Sequence, residues 1–172
     1  MAMLSREVSR RLKLWGKLRE EEGNSMVELA LILSVFGTSL LLGTAQAGIL
    51  IYDSIEISNA AHVGAMYGMQ GLAYASDTAD MITAAQAEAS DLGTSMTVTP
   101  TTYFACSSAV GGTQYSGTNA QTNATSACTG GSNHPLQFVQ VVTRESVKTA
   151  VHFPGLPATV TLSGTSVMEV EE

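Results

Sequence analysis

The sequence predicts an α+β protein with a long N-terminal transmembrane helix, a second amphipathic helix and a small C-terminal antiparallel sheet. Three observations support this fold class. Residues 29–52 form a run of 24 residues without a charge. Apolar residues recur at helical spacing between Asp77 and Leu92, and they alternate with polar residues between Ala158 and Val170. These two periods are typical of an amphipathic helix and of a half-buried strand.

The uncharged run from Leu29 to Tyr52 predicts a helix that crosses a membrane. At 1.5 Å per residue its 24 residues extend about 36 Å, enough to span a bilayer with some tilt. Glu28 precedes the run and Asp53 follows it. We expect the helix to continue beyond the bilayer through Tyr67 and to weaken near Gly68–Gly71, where glycines accumulate.

The charges divide the chain into two unlike parts. Residues 1–23 carry six basic and four acidic residues, a net charge of +2, whereas residues 24–172 carry two basic and eleven acidic residues, a net charge of −9. The positive-inside rule therefore predicts a cytoplasmic N-terminus and an exported C-terminal domain. An acidic domain with two cations offers little to neutralise phosphates, which argues against nucleic-acid binding.

The predicted organisation has three parts: a basic cytoplasmic leader (1–23), a transmembrane and extended N-terminal helix (24–70) and an exported α+β domain (71–172). In the domain, Ser76 or Asp77 is expected to cap a helix that ends at Leu92, with Gly93 after its last turn. Calcium binding by Asp77 and Asp80 is the alternative to capping.

Three strands are expected after this helix. The first covers residues 95–100 and is confined by Pro100 to an edge or an end of the sheet, because proline lacks the backbone N–H. A long loop is predicted over residues 101–135, with turns at Gly111–Gly112 and Gly130–Gly131. The second strand, residues 136–148, is apolar on both faces and therefore expected at the centre, and Gly155–Pro157 turns the chain into the third.

Cys106 and Cys128 are the two cysteines of the chain, and both fall in the exported part. An even number of cysteines in an oxidising compartment predicts one disulfide, which would close the loop over residues 106–128. No metal or other cofactor is expected, because two cysteines and the nearby His134 do not form a ligand set at a known spacing.

Small residues recur every fourth position in the predicted transmembrane helix, at Ser39, Gly43 and Ala47. This spacing places them on one helix face, where another helix can approach closely. Ala60, Gly64 and Gly68 continue the pattern. The alternative is that glycine and alanine are simply common in membrane helices.

The residues from Gly23 to Glu28 favour proteolytic processing. Cleavage after Gly23 would leave a charged amine on Asn24, since the reference pKa of an α-amino group is near 8. Glu28 would then be the fifth residue of the mature chain, at the entrance of the apolar helix. An unpaired carboxylate in a bilayer costs on the order of 2.5–3.5 kcal/mol, so the amine of a neighbouring subunit would stabilise it. The alternative is that Glu28 marks the interfacial end of a membrane anchor.

These residues resemble a known family. Gly23–Leu31 is similar to the start of TadE-like proteins, the pseudopilins of tight-adherence (Tad/Flp) pili, which share the processing motif of type IV pilins. Asn59–Tyr67 and the terminal segments Val160–Leu162 and Ser166–Glu169 resemble further parts of that family. The resemblance implies a pilin-like fold, a minor structural pilus component and no catalysis.

The same resemblance implies the partners and the location. It implies cleavage by a prepilin peptidase and association with other pilin or pseudopilin subunits, the pilus assembly platform and inner-membrane lipid. The chain itself offers no Ser-His-Asp set and no phosphate-binding loop, and His62, His134 and His152 are isolated in the sequence. The predicted location is the bacterial inner membrane, crossed once, with the C-terminal domain periplasmic or extracellular.

Two other classes of function stay open. Leu29–Leu42 also fits the apolar core of a secretory signal peptide, with Ala45–Ala47 as the site before cleavage at Gly48. A third interpretation is an unprocessed, membrane-anchored binding domain such as an adhesin. A twin-arginine signal is disfavoured, because charged residues separate Arg10–Arg11 from the apolar run.

Overall fold

The computed structural model describes residues 2–109, 111–149 and 157–171, and within these ranges it does not describe the side chains of residues 2–23 and 93–94. Two compact units, Met1–Ala47 and Gly48–Glu172, divide the chain. The helices and strands, in chain order, are α1 (Ala2–Gly68), α2 (Leu72–Ser76), α3 (Thr78–Glu88), β1 (Thr97–Cys106), α4 (Ala120–Ala127), β2 (Pro135–Lys148) and β3 (Thr159–Glu169). The predicted α+β class is confirmed.

Helix α1 ends at Gly68, where the sequence predicts weakening. The chain then turns through Gly71, whose φ of 151° is a conformation that residues with a side chain rarely adopt. The short helix α2, which follows directly, is absent from the sequence prediction. It has five residues, too few for a hydrophobic period to be visible.

The predicted cap of the second helix is confirmed, and its predicted end is wrong. The Asp77 carboxylate accepts a hydrogen bond from the backbone N–H of Asp80 at 3.1 Å, as an N-cap residue does. Helix α3 ends at Glu88, and residues Ser90–Ser95 form a 3₁₀ helix that includes Gly93. Leu92 keeps an inward position through this tighter helix, so its apolar character fits both conformations.

The three strands form one antiparallel sheet in the order β1-β2-β3. The central position of β2 and the edge position of the proline-containing strand are confirmed. The extent of β1 is not: it passes through Pro100 and continues to Cys106. Proline is tolerated there because β1 is an edge strand, where one row of N–H groups has no partner strand.

The long loop predicted over residues 101–135 is therefore wrong in part. Residues 101–106 belong to β1, and Ser107–Ala109 and α4 provide two further helical segments. The turns at Gly111–Gly112 and Gly130–Gly131 are confirmed, with positive φ at Gly111, Gly130 and Gly131. The turn expected at Gly155–Pro157 lies mostly outside the described residues, as does His152.

The main core lies between the sheet and the two helices α1 and α3. Its largest fully buried side chains are Ile57, Met81, Met96, Val139, Val141 and Thr143. β3 alternates as expected: Val160, Leu162, Ser166 and Met168 are partly buried, Gly164 is buried, and the odd-numbered residues from 159 to 169 are exposed. The second unit thus buries one face of its sheet under helices.

A smaller cluster covers one end of the opposite sheet face. The rings of Tyr103 and Phe138, on neighbouring strands, stack with centroids 5.5 Å apart. Ala105 is buried in the same cluster. Cys106 and Cys128 form the predicted disulfide, with their Cα atoms 5.3 Å apart, and so tie the end of β1 to the end of α4.

Candidate processing and assembly segment

The apolar part of α1 is exposed along most of its length. One 18-residue window of the helix is apolar enough to cross a membrane, and 0% of it is buried within the molecule. A core helix of a soluble protein would be mostly buried, so this helix requires lipid or other chains to cover it. The exposed side chains include Leu29, Leu33, Phe36 and Leu40.

The residues predicted to direct processing lie within this helix. Gly23, Asn24 and Glu28 are all helical, and the side chains of Asn24 and Glu28 are exposed. A peptidase must unwind a helix to reach the bond after Gly23, and glycine lowers helix stability by about 1 kcal/mol relative to alanine. Glu28 lies one helical turn from Asn24, next to the exposed Leu29.

The small residues Ser39, Gly43 and Ala47 form an open helix face. All three are exposed, and no atom lies within 4 Å of a Cβ built on Gly43. The Ser39 hydroxyl donates to the Val35 carbonyl at 2.7 Å, so its hydrogen bond is satisfied by the helix itself. The face therefore offers close backbone approach rather than an unpaired polar group.

The second half of the small-residue pattern already packs against other elements of the domain. Ala60 is buried, and a Cβ on Gly64 would lie 3.2 Å from the Cβ of Ala85 in α3. A Cβ on Gly68 would meet the Met81 sulfur at 2.7 Å. These residues let α3 and β2 approach α1 inside the domain, so the spacing has an intramolecular cause here.

Comparison with known proteins finds a family model that matches much of this helix. Residues 23–66 match the model of the TadE family, described as TadE-like protein. This segment is TadE-like. No curated protein and no solved structure matches the chain. The resemblance at Gly23–Leu31 is thereby confirmed, whereas Val160–Glu169 lies outside the matched residues.

The TadE-like match supports a component associated with a tight-adherence pilus. The family is structural rather than enzymatic. The match begins at Gly23, where the predicted leader ends, and it stops two residues before the end of α1. The β-sheet domain that follows is not covered by the match.

Sequence reasoning missed the polar contact that fixes this TadE-like helix on its sheet. Thr143 is fully buried, and its hydroxyl donates to the Ile57 carbonyl at 2.8 Å. Opposite it on β3, a Cβ on Gly164 would lie 2.7 Å from the same carbonyl oxygen. The one available signal was a threonine at an inward position of an otherwise apolar strand.

A second feature that the sequence did not reveal is an acidic groove, lined by Tyr52, Ile55, Glu56, Asn59, Glu88 and Asp91, with a volume of about 260 Å³. The Tyr52 hydroxyl donates to the Asp91 carboxylate at 3.4 Å. Oε2 of Glu56 is buried and has no hydrogen-bond partner among the described residues. Burial, followed by the charges of Asp91, Asp53 and Glu88, raises the pKa of Glu56.

Asp77, Asp80 and His134, which the sequence suggested as possible ligands, have structural contacts. Asp77 caps α3, and the Asp80 carboxylate accepts from the Tyr67 hydroxyl at 3.0 Å, so neither needs calcium. His134 contacts the Ser132 carbonyl through Nδ1 at 2.9 Å. Among the described residues no group of three or more His, Cys, Asp or Glu side chains is placed to hold a metal ion.

Proposed function

We propose that the chain is a pseudopilin, a minor component of a tight-adherence pilus or its secretion machinery, cut by a prepilin peptidase after Gly23. The observation that carries this proposal is the TadE-like helix itself. Its uncharged run, residues 29–52, is apolar and largely exposed, and Glu28, the one carboxylate between Gly23 and Tyr52, stands at the fifth position after Gly23.

Assembly would follow from the charge on the mature N-terminus. Cleavage exposes the amine of Asn24, and Glu28 lies one turn deeper along the helix. Pairing of Glu28 with the amine of a neighbouring pilin subunit would remove an unpaired carboxylate from the bilayer, worth a few kcal/mol. Such a pair forms only at one axial offset, so Glu28 would also set the register between helices.

The open face of Ser39, Gly43 and Ala47 would support the same contact. Small residues allow two helix backbones to approach closely in lipid, where packing contributes much of the association energy. Since Gly64 and Gly68 are occupied within the domain, residues 39–47 are the part of the pattern left for a partner helix.

The proposed topology follows the charges. The basic leader, residues 1–23, would stay in the cytoplasm, and residues 24–70 would form the membrane-crossing and extended helix. Residues 71–172 would lie outside the inner membrane, in the periplasm or on the pilus. The disulfide between Cys106 and Cys128 fits an oxidising compartment.

A Glu28→Ala variant in the native host tests the assembly step. We expect cleavage to persist, because Gly23 is intact, while recovery of the chain with sheared pili falls at least tenfold, reflecting the lost pair. Leu31→Ala, on the same apolar helix, is the matched control and should assemble normally. Normal incorporation of the Glu28→Ala variant would contradict the proposed register.

One observation favours a second candidate, a secreted domain released by signal peptidase. The boundary between the two compact units falls between Ala47 and Gly48, the bond that such cleavage would cut. The released chain would keep Ile57 and the rest of the α1 surface that packs on the sheet. A mature N-terminus at Gly48 would establish this candidate and remove Glu28 from any role.

A further inference from the structure

Two cations, Arg144 and Lys148, are the only basic residues after residue 23. Both lie on β2 and are exposed. Neither forms an ion pair with another described residue. Because successive strand residues point to opposite faces and Thr143 contacts α1, Arg144 and Lys148 point to the sheet face away from α1 and α3.

The described residues that pair with these cations across the sheet are uncharged. Thr97 of β1 and Ser163 of β3 pair with Arg144, and Thr159 pairs with Lys148. All three neighbours are exposed. This part of the sheet, which we call the basic face (Arg144, Lys148 and these neighbours), is thus an uncovered surface with positive charge on an otherwise acidic chain.

The acidic groove lies on the other side of the same domain at the same level. Thr143 donates to the Ile57 carbonyl, so Arg144, the next residue of β2, lies on the opposite sheet face at the level of Ile57. Ile57 in turn follows Glu56, which lines the groove. Glu56, Glu88 and Asp91 line the groove, and no described cation does. Two copies placed side by side with parallel α1 helices would bring a basic face opposite a groove.

We propose that the basic face of one copy docks on the acidic groove of a second copy of this chain. The contact joins two different surfaces, so it is heterologous, and it leaves one free surface at each end of any row. Such a contact extends without closing, as a filament or a growing membrane cluster requires. The inference rests on the proposed pilus function and specifies which surfaces of the exported domain meet.

Cysteine cross-linking of the full chain in membranes tests the contact. The described residues contain no free cysteine, so Thr159→Cys on the basic face and Asn59→Cys in the groove introduce new reactive thiols and leave every charge of the contact in place. Under mild oxidation, the double variant is expected to give a ladder of cross-linked multimers. A mixture of the two single variants should give dimers and nothing larger, and neither single variant alone should cross-link.

A matched control uses the far end of the same sheet face. Glu169 is exposed on β3 and lies ten residues along the strand from Thr159, the partner of Lys148, or roughly 33 Å away. Glu169→Cys combined with Asn59→Cys should cross-link at least tenfold less. Adding Arg144→Glu to the Thr159/Asn59 pair should also reduce the ladder about tenfold, because an attraction to the acidic groove becomes a repulsion.

Three results would overturn the proposal. Dimers from one single variant alone would indicate a two-fold contact. Equal cross-linking of the Glu169 control would indicate random collision. The absence of a ladder would indicate that the cations bind another ligand, such as anionic lipid. The mature N-terminus separates this failure from failure of the pilus function. A start at Asn24 without a ladder rejects the contact alone.

Discussion

At the scale of single residues, close backbone approach decides where the TadE-like helix sits on its sheet. Gly164 of β3 faces the Ile57 carbonyl and the Cα of Ser58, and Thr143 donates to that carbonyl. The neighbours of Gly164 are backbone atoms, which cannot move away as a flexible side chain can. A single methyl group at this position would therefore separate helix and sheet.

Gly164→Ala should destabilise the domain by about 1–3 kcal/mol, the usual range for overpacking a core. For a chain of this size that corresponds to a lower Tm by roughly 2–4 °C per kcal/mol, measurable by circular dichroism of the detergent-solubilised protein. Gly48→Ala, where no atom lies within 4 Å of the built Cβ, is the control and should not lower Tm. An unchanged Tm for Gly164→Ala would contradict the close contact.

Glu56 should make stability depend on pH. Its pKa is raised in the folded protein, chiefly by burial and then by the nearby Asp91, so the folded state holds a proton that the unfolded state releases. The contribution of Glu56 to stability is therefore greatest at low pH and is lost as pH rises from the ordinary glutamate value through the raised pKa.

Glu56→Gln removes this penalty, so the variant should have a higher Tm than the wild type at pH 7. The difference in Tm should shrink toward pH 4, where the protonated wild-type carboxyl is uncharged, like the glutamine amide. Thermal unfolding of both proteins across this pH range measures the effect. Parallel curves at all pH values would contradict a buried, repelled carboxyl at this position.

At the scale of elements, the disulfide secures a segment with little core of its own. The chain between Cys106 and Cys128 contains α4, whose buried residues are the small Ala120 and Ala124. Two alanines bury little apolar surface, so packing alone contributes little to holding α4 against β1. The covalent link restricts the unfolded chain and compensates for this small core.

Replacing both cysteines by serine should lower the free energy of unfolding by about 3 kcal/mol, the value expected for a closed loop of this length. The double replacement avoids leaving one reactive thiol. Chemical unfolding with and without reductant provides the measurement, and reduced wild type should match the variant. A variant as stable as the oxidised protein would show that the disulfide is not needed for stability.

The open face of α1 should matter for association and not for folding. Gly43→Leu would block close approach of another helix and should reduce recovery of the chain with sheared pili severalfold, while the Tm of the domain stays unchanged. Gly37→Leu adds the same side chain at a position equally free of neighbours. It lies on a different side of the helix, six residues away, and equal effects of both variants would contradict a specific face.

The sequence predicted elements well where one periodicity was long and failed where structure depended on distant contacts. The uncharged run, the alternation of β3 and the Asp77 cap were all local signals. The extension of β1 past Pro100 was missed because the strand was expected to end at this proline. Proline is excluded from central strands but is tolerated within an edge strand such as β1. The sequence shows that Gly64 and Gly68 are small, but only the fold shows that α3 and β2 fill the space beside them.

At the scale of the whole molecule, the chain has two surfaces whose exposure without a partner is unfavourable in free energy. The exposed apolar helix requires a bilayer or neighbouring helices. The sheet domain carries its two cations on one face and, on the other side, an acidic groove that no described cation lines. A pseudopilin that packs through α1 and then through its domains would satisfy both requirements in one assembly.

The sequence alone indicates a candidate assembly site because the signals for it are adjacent in the chain. Gly23, Asn24 and Glu28 lie within six residues, so their spacing is fixed whatever the fold. The acidic groove could not be predicted, since Tyr52 and Asp91 are 39 residues apart and meet only after α3 has packed on α1. Sites formed by residues adjacent in the chain can be recognised from the sequence, whereas sites formed only by packing cannot.

The central claim is tested most directly by the intact mass and N-terminal sequence of the protein from membranes of its native host. The account predicts a chain that begins at Asn24, with Glu28 as its fifth residue. A chain that begins at Met1 or Ala2 would leave an unprocessed anchor, and one that begins at Gly48 would be a secreted domain. Either of these starts would contradict assembly through a processed α1.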